Sequence, residues 1–172
     1  IIKGYIQVYT CDGKGKTTAA FGLAMRAVGA GLRIYIGQFV KGLRYSELDS
    51  FAKFKKFITI EQFGRGCFIK KNPVKKDIEC AQKGFLKVKK IINSGTYDIV
   101  ILDELSIALY YKLINIEEVI NLLKSKPSNV EIIITGRKTP FEIIEIADLV
   151  TEMKEIKHYY SKGIQARKGI EK

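Results

Sequence analysis

The stretch VYTCDGKGKTTAAFG, residues 8–22, constrains this chain more than any other segment. Its apolar start reads as a strand, its centre as a glycine-rich turn and its end as a helix. Such a turn aims backbone N–H groups at one point, and the helix N-terminus behind it adds partial positive charge. Both features favour phosphate oxygens. Gly13 and Gly15 permit close backbone approach and φ angles that a side chain opposes. Lys16 is placed to reach phosphate oxygens, and the Thr17 hydroxyl is placed to bind Mg²⁺. The match to GxxxxGK[ST] is incomplete, because Thr10 stands where the first glycine belongs. The GKT half is intact, and strand and helix flank it on the correct sides.

Short β-rich runs and helical patterns alternate along the rest of the chain. Strands are predicted over residues 5–10, 32–39, 57–62, 97–102, 130–135 and 148–153. A helix is predicted over 16–29, ended by Gly29 and Gly31, and another over 74–92, where Ile78, Ala81, Phe85, Val88 and Ile92 share a face. Ile116, Val119, Ile120 and Leu123 form a further helical stripe behind Asn115 as N-cap. Thr139, Pro140 and Glu142 read as a capping box with proline at the first helical position. This alternation implies a parallel sheet with right-handed crossovers in a single α/β domain, residues 1–172. Residues 41–72 are glycine-punctuated, charged and weakly periodic, and are expected to order around substrate.

The run YDIVILDE, residues 97–104, ends in Asp103 and Glu104. Ligands of open α/β sheets bind at such strand ends, so these carboxylates are candidate Mg²⁺ holders, directly or through water. The bland role of Asp103 is a helix N-cap. The run IITGR, residues 133–137, sets Arg137 at another strand end, where it either reaches phosphates or is an exposed loop arginine.

Composition narrows the partners. The net charge is +12, and residues 41–90 hold 14 Lys and Arg against 5 Asp and Glu. That excess suits a polyanion, either a triphosphate or a nucleic acid, and suits equally a solvated lysine-rich surface. Three cysteines, none in CxxC spacing, argue against a disulfide framework or structural zinc and for a reducing, cytoplasmic setting. No apolar run is long enough to span a bilayer. The sole histidine, His158, reads as structural.

Taken together, YTCDGKGKTTAAFGLAMRAVGAG, QFVKG, FGRGCF, YDIVILDE, IITGRKTP, ADLVTEM and KHYYSKGIQARKGIE resemble the ATP:corrinoid adenosyltransferase family over nearly the whole chain. The resemblance implies a P-loop, RecA-like α/β fold with a mostly parallel sheet flanked by helices on both faces. It implies transfer of the 5′-deoxyadenosyl group of ATP to the cobalt(I) of cobalamin or a related corrinoid, with triphosphate released. Gly13, Lys14, Gly15, Lys16, Thr17 and Thr18 then carry the triphosphate, and Asp12 joins them in the cofactor-binding set. Thr17, Asp103 and Glu104 form the Mg²⁺ site. Gln38, Lys41 and Arg137 line the nucleotide, and Phe68 covers the corrin ring. Lys16, Glu104 and Arg137 are the candidate catalytic groups. A homodimer and a reduced flavoprotein donor are implied as well. Two departures stand out: Cys11 occupies a position where the family usually has glycine, and the chain has no tryptophan. Longer members also carry an N-terminal extension that helps close the corrinoid site.

Three other readings fit the phosphate loop. A RecA-like ATP hydrolase would use Asp103 and Glu104 as metal and water-activating carboxylates, with nucleic acid on the basic region, although that region lacks aromatic stacking repeats. A small-molecule kinase would use the same loop with an acidic residue near the acceptor. A binding module would hold nucleotide without turnover.

Overall fold

The computed structural model describes residues 1–66 and 72–172. Phe68, the residue expected over the corrin ring, lies outside the described residues.

The elements run β1 (Ile6–Thr10), α1 (Lys16–Gly29), β2 (Ile34–Phe39), α2 (Ser46–Ala52), β3 (Ile58–Phe63) and α3 (Lys75–Ser94). They continue with β4 (Ile99–Asp103), α4 (Leu105–Tyr110), α5 (Ile116–Lys124), β5 (Glu131–Thr135), α6 (Phe141–Ile146) and β6 (Leu149–Glu152). A 3₁₀ turn, Tyr159–Lys162, follows in the C-terminal segment. Among the described residues six strands form one sheet in the order β3-β2-β4-β5-β1-β6, and every pairing is parallel.

Connection direction decides which face each helix covers. The steps β1 to β2 and β2 to β3 run one way along the sheet, and α1 and α2 pack one face through Ala20, Phe21, Ala24, Ala27 and Phe51. The steps from β3 to β4, β4 to β5 and β5 to β6 run the other way. Their helices cover the opposite face through Phe85, Val88, Leu105, Val119 and Ile143. A reversal of direction with a change of face is what a single crossover hand requires. With both faces covered, the central strands are apolar on both sides, and β2 and β4 are buried at every position. Each isoleucine removed from water there contributes roughly 1.5–3 kcal/mol.

Local chemistry explains most element ends. The α1 helix occupies the predicted span, with Gly31 at φ 76° closing the turn that follows it. The predicted face of α3 is buried at Ala81, Phe85, Val88 and Ile92, and Gly95 ends the helix at φ 61°. Asn115 caps α5 by accepting from the Glu117 N–H at 2.8 Å. The capping box expected at Thr139 does not form. Pro140 is itself the N-cap of α6, and the Thr139 hydroxyl instead donates to Thr10 Oγ1 at 2.8 Å. Two short helices had no sequence signal. In α4 four of the six residues are buried, which erases amphipathic period, and α2 spans only seven residues.

Candidate functional site: a phosphate loop over a polar row

Side chains alternate faces along a strand, so every second residue of β2, β3, β4 and β5 lies on the face covered by α1 and α2. The rows read Ile34-Ile36-Gln38, Ile58-Ile60-Gln62, Ile99-Ile101-Asp103 and Ile133-Thr135. In each the residue before the C-terminal one is isoleucine and the C-terminal one is polar, although β5 also carries Glu131 at the far end of this face. Register aligns those ends: Gln38 pairs with both Gln62 and Asp103, and Asp103 and Thr135 follow the pair Leu102–Ile134. A polar row therefore crosses four strands beneath the N-terminus of α1.

Asp103 is the centre of that row and is fully buried. Its Oδ1 accepts from Thr17 Oγ1 and from Thr135 Oγ1, both at 2.7 Å. Its Oδ2 accepts from Lys41 Nζ at 2.8 Å and from Gln38 Nε2 at 3.1 Å. Burial alone would raise the Asp103 pKa. The Lys41 ammonium and the hydrogen bonds from Lys41, Thr135 and Thr17 outweigh it and hold the carboxyl below its ordinary range. Lys41 pays the same desolvation, and Asp103 more than restores it, so its pKa is raised. Lys41 also lies 5.4 Å from the centroid of the Tyr45 ring.

Glu104 differs from its neighbour. It sits at φ 59° as the N-cap of α4, and its N–H donates to Thr135 Oγ1 at 3.1 Å. Thr135 thus holds both acidic residues, one through its O–H and one through its lone pair. Burial and the adjacent Asp103 charge raise the Glu104 pKa, against the pull of Lys41, Lys16 and Arg137. A half-buried carboxylate with an unfavourable charge is poised to gain from a cation.

Above the row, α1 begins at Gly15, at φ 120°, with no side-chain cap and no acidic residue in its first turn. Its leading N–H groups and partial positive charge are left for an anion. Lys16 is buried and donates from Nζ to the Gly13 carbonyl at 2.5 Å. Burial lowers its pKa, as does the Arg137 charge, while Glu104 and Asp12 oppose them. Asp12, Lys14 and Thr18 are exposed on the rim. Arg137 Nε lies 4.0 Å from Asp12 Oδ1, with both side chains more than half exposed. The Gly13 N–H does not face the cradle. It donates to the Met153 carbonyl at 2.6 Å, and a Cβ on Gly13 would fall 2.2 Å from that oxygen. Cys11 takes φ 78°, so the turn forms in the glycine-like conformation although a side chain is present.

The structure thus gathers Gly13, Gly15, Lys16, Thr17, Gln38, Lys41, Asp103 and Glu104 around one point, with Asp12, Lys14, Thr18 and Arg137 on its open side. His158 lies outside it, accepting from the Tyr160 N–H at 3.0 Å. Thr135, Gln62 and Tyr45 were not singled out from sequence. Gln62 carried a signal, since it closes the alternating row Ile58-Ile60-Gln62 with a polar residue, and Thr135 carried a weaker one as the polar end of the unbroken run Ile132-Ile133-Ile134.

Among the described residues no cluster of three or more His, Cys, Asp or Glu exists that would cage a metal. Mg²⁺ is commonly held by one or two protein groups plus substrate phosphates, and Thr17 with Glu104 fits that donor set. Because Thr17 donates its proton to Asp103, its lone pairs remain for a cation. Among the described residues, no helix is long and apolar enough to cross a membrane.

Comparison with known proteins supplies the lineage. The chain is 38% identical over 173 residues to a corrinoid adenosyltransferase of Sinorhizobium sp, covering 98% of this chain and 80% of the relative. It is 33% identical over 169 residues to a corrinoid adenosyltransferase of Escherichia coli (strain K12), covering 98% and 86%. Among solved structures, the KaiC-like protein PH0186 from Pyrococcus horikoshii OT3 superposes with a TM-score of 0.57 at 20% identity, over 90% of this chain and 75% of that one. This likeness speaks for the RecA-like fold alone. The model of the family described as ATP:corrinoid adenosyltransferase BtuR/CobO/CobP matches residues 2–171, and the chain belongs to that family.

Proposed function

We propose that this chain transfers the 5′-deoxyadenosyl group of ATP to the cobalt(I) of a corrinoid and releases triphosphate. Family membership supports the reaction class. The observation that carries the reading is the uncapped N-terminus of α1, where Lys16 bonds the Gly13 carbonyl and the next residue, Thr17, bonds Asp103. A cobalt(I) nucleophile brings no proton, so displacement at C5′ needs no general base. The protein's tasks are to orient ATP, to stabilise charge on the leaving triphosphate and to limit water.

Each residue then has a task. The loop amides, Lys14, Lys16 and Thr18 bind phosphate oxygens. Thr17 and Glu104 hold Mg²⁺, which when bound neutralises part of the triphosphate charge. Asp103 acts behind Thr17 rather than on the metal, because both its oxygens already accept two hydrogen bonds. Gln38 and Lys41 set that carboxylate, and Arg137 and Asp12 form the outer wall. Phe68 keeps its proposed place over the corrin ring. A homodimer, a reduced flavoprotein donor drawn to the +12 chain and a cytoplasmic setting complete the proposal, the last agreeing with the free thiols of Cys11 and Cys80.

A second reading, ATP hydrolysis, is favoured by one feature. Glu104 follows Asp103 at a strand end, and its raised pKa suits a water-activating base. One experiment separates the two. The protein is incubated anaerobically with ATP, Mg²⁺ and chemically reduced cobalamin, and the products are resolved. Triphosphate together with a light-sensitive adenosylated corrinoid is expected. ADP and phosphate, formed whether or not corrinoid is present, would overturn the transferase and leave the hydrolase.

A further inference from the structure

We propose that Gln62, on the edge strand β3, is a positioning residue for the Mg²⁺–nucleotide site, acting through both donors to Asp103 Oδ2 without touching Asp103 itself. The inference rests on the nucleotide-binding part of the function proposed above.

The two oxygens of Asp103 are served from different directions. Thr17 and Thr135 hold Oδ1 from α1 and β5. Gln38 and Lys41 hold Oδ2 from β2 and the loop after it. Gln62 touches Gln38 itself and, two residues beyond Lys41, the loop that carries it. Its Nε2 donates to Gln38 Oε1 at 3.0 Å and to the Leu43 carbonyl at 2.9 Å. Both amide hydrogens of Gln62 are therefore committed.

The first bond fixes an orientation. A glutamine amide has one donating and one accepting end of nearly equal shape. With its oxygen engaged by Gln62, Gln38 must present its N–H₂ group to the buried carboxylate. Without that bond Asp103 alone orients the amide, and the Gln38 N–H₂ group is held less firmly on Oδ2. The second bond fixes a loop. Leu43 lies two residues beyond Lys41, and between β2 and Lys41 the chain passes through Val40 at φ 52°, a conformation β-branched residues resist. A carbonyl anchor at Leu43 keeps this loop, and with it the Lys41 ammonium, against Asp103. Asp103 in turn directs the Thr17 proton away from the cation position.

The consequence is specific. Gln62 sets the Mg²⁺-dependent part of nucleotide affinity and leaves the loop amides and Lys16 alone. The test uses three full-chain variants, Gln62→Met, Gln62→Glu and Gln38→Met, with the Gln62→Met/Gln38→Met double variant. ATP binding is measured by calorimetry with Mg²⁺ and again in EDTA, and the thermal midpoint of each variant is recorded. Gln62→Met and Gln62→Glu are close in size to glutamine but donate no hydrogen bond. Two neutral hydrogen bonds correspond to about tenfold in affinity. Both variants are expected to lose about that much with Mg²⁺ and less than about twofold in EDTA. On the Gln38→Met background, Gln62→Met is expected to cost clearly less than it does alone, because its path through Gln38 is already gone. Equal losses with and without Mg²⁺, full additivity with Gln38→Met, or a lowered midpoint with unchanged Mg²⁺–ATP affinity would each overturn the proposal. None of these assays contains corrinoid. Failure of adenosyl transfer by the parent protein would count against the proposed reaction and leave the Gln62 result standing.

Discussion

Asp103 and Arg137 stand at strand ends beside the same phosphate loop, yet they are held in opposite ways. Asp103 is sealed, with four donors from four separate segments on its two oxygens. Arg137 is more than half exposed, and it pairs loosely with Asp12 at 4.0 Å. The contrast extends to their neighbours. The floor of the site is Gln62, Gln38, Asp103 and Thr135, bonded side by side across strands. The rim is Asp12, Lys14, Arg137 and the C-terminal segment, which meets Lys14 Nζ through the Ile170 carbonyl at 3.4 Å and Ser46 Oγ through the Lys172 carbonyl at 3.0 Å. Floor groups are coupled to the fold, so their loss is felt as stability as well as in Mg²⁺-dependent affinity. Rim groups are coupled to solvent, so their loss is felt as affinity.

The sharpest test of the floor is Asp103→Ala. It leaves Lys41, Thr17, Thr135 and Gln38 without their shared acceptor, and removing one partner of a buried ion pair costs about 3–5 kcal/mol. Urea unfolding should show a loss in that range, and a loss under about 1 kcal/mol would mean the floor relaxes as easily as the rim. The pH dependence has a definite sign. The folded pKa of Asp103 is depressed, so its stabilisation is complete above the unfolded value of about 3.9 and disappears as pH falls through the lower folded value. That part of the acid-induced loss should be missing from the variant.

Lys16→Ala comes next, because Lys16 is the buried cation nearest the proposed leaving group. Removing a preorganised charge-stabilising donor lowers turnover by about 10²–10³-fold. Adenosyl transfer should fall by that amount with the urea midpoint nearly unchanged, since among the described residues Lys16 Nζ bonds a loop carbonyl.

Glu104 lies between the two regimes. Burial and Asp103 raise its folded pKa, so the folded state carries a penalty at neutral pH that fades as pH falls through the raised folded value and is gone below the unfolded value of about 4.3. Glu104→Gln keeps the shape and removes the charge. It should raise stability by about 1 kcal/mol at pH 7 while weakening Mg²⁺-dependent ATP binding, a trade of function for stability. A variant less stable than the parent at pH 7 would remove Glu104 from the list of strained ligands.

The sheet and the loop were legible because they rest on local chemistry. Gly15 and Lys16 start α1 where the motif places them, and the buried runs in β4 and β5 announce a sheet covered on both faces. The floor was only half legible. Gln38, Lys41 and Asp103 were each expected near nucleotide, but their meeting depends on strand register, which a single sequence does not display. Thr135 was passed over for the more conspicuous Arg137 two positions later. The Thr139–Pro140 signature misled because Thr139 spends its hydroxyl on Thr10, a partner 129 residues away. Local pattern names the elements, whereas side chains bonded across strands require the order β3-β2-β4-β5 first.

Cys11 tests whether the loop itself belongs to the floor or the rim. A non-glycine residue in the left-handed region is strained by about 1–2 kcal/mol, and glycine returns about 0.5–1 kcal/mol of that through its freer unfolded chain. Cys11→Gly should therefore stabilise by about 0.5 kcal/mol, read as a higher urea midpoint, with ATP affinity unchanged. A loss of stability would show that the half-buried thiol contributes packing that exceeds the strain.

The smallest stability effect is expected at Arg137, and there the comparison becomes quantitative. An exposed pair such as Arg137–Asp12 contributes about 0–0.5 kcal/mol, so Arg137→Ala and Asp12→Ala should each leave the urea midpoint where it was. Their effects on ATP should have opposite signs. Arg137→Ala removes a cation beside Lys16 and should weaken ATP binding a few-fold, with the difference shrinking as salt rises. Asp12→Ala removes an anion from the mouth of an anion site and should leave binding equal or stronger. If instead both variants lowered stability by more than about 1 kcal/mol, the rim would be locked into the fold as the floor is, and exposure would cease to separate the two. If neither changed ATP binding at low salt, the phosphate site would end at Lys16, and Arg137 would return to being a loop arginine.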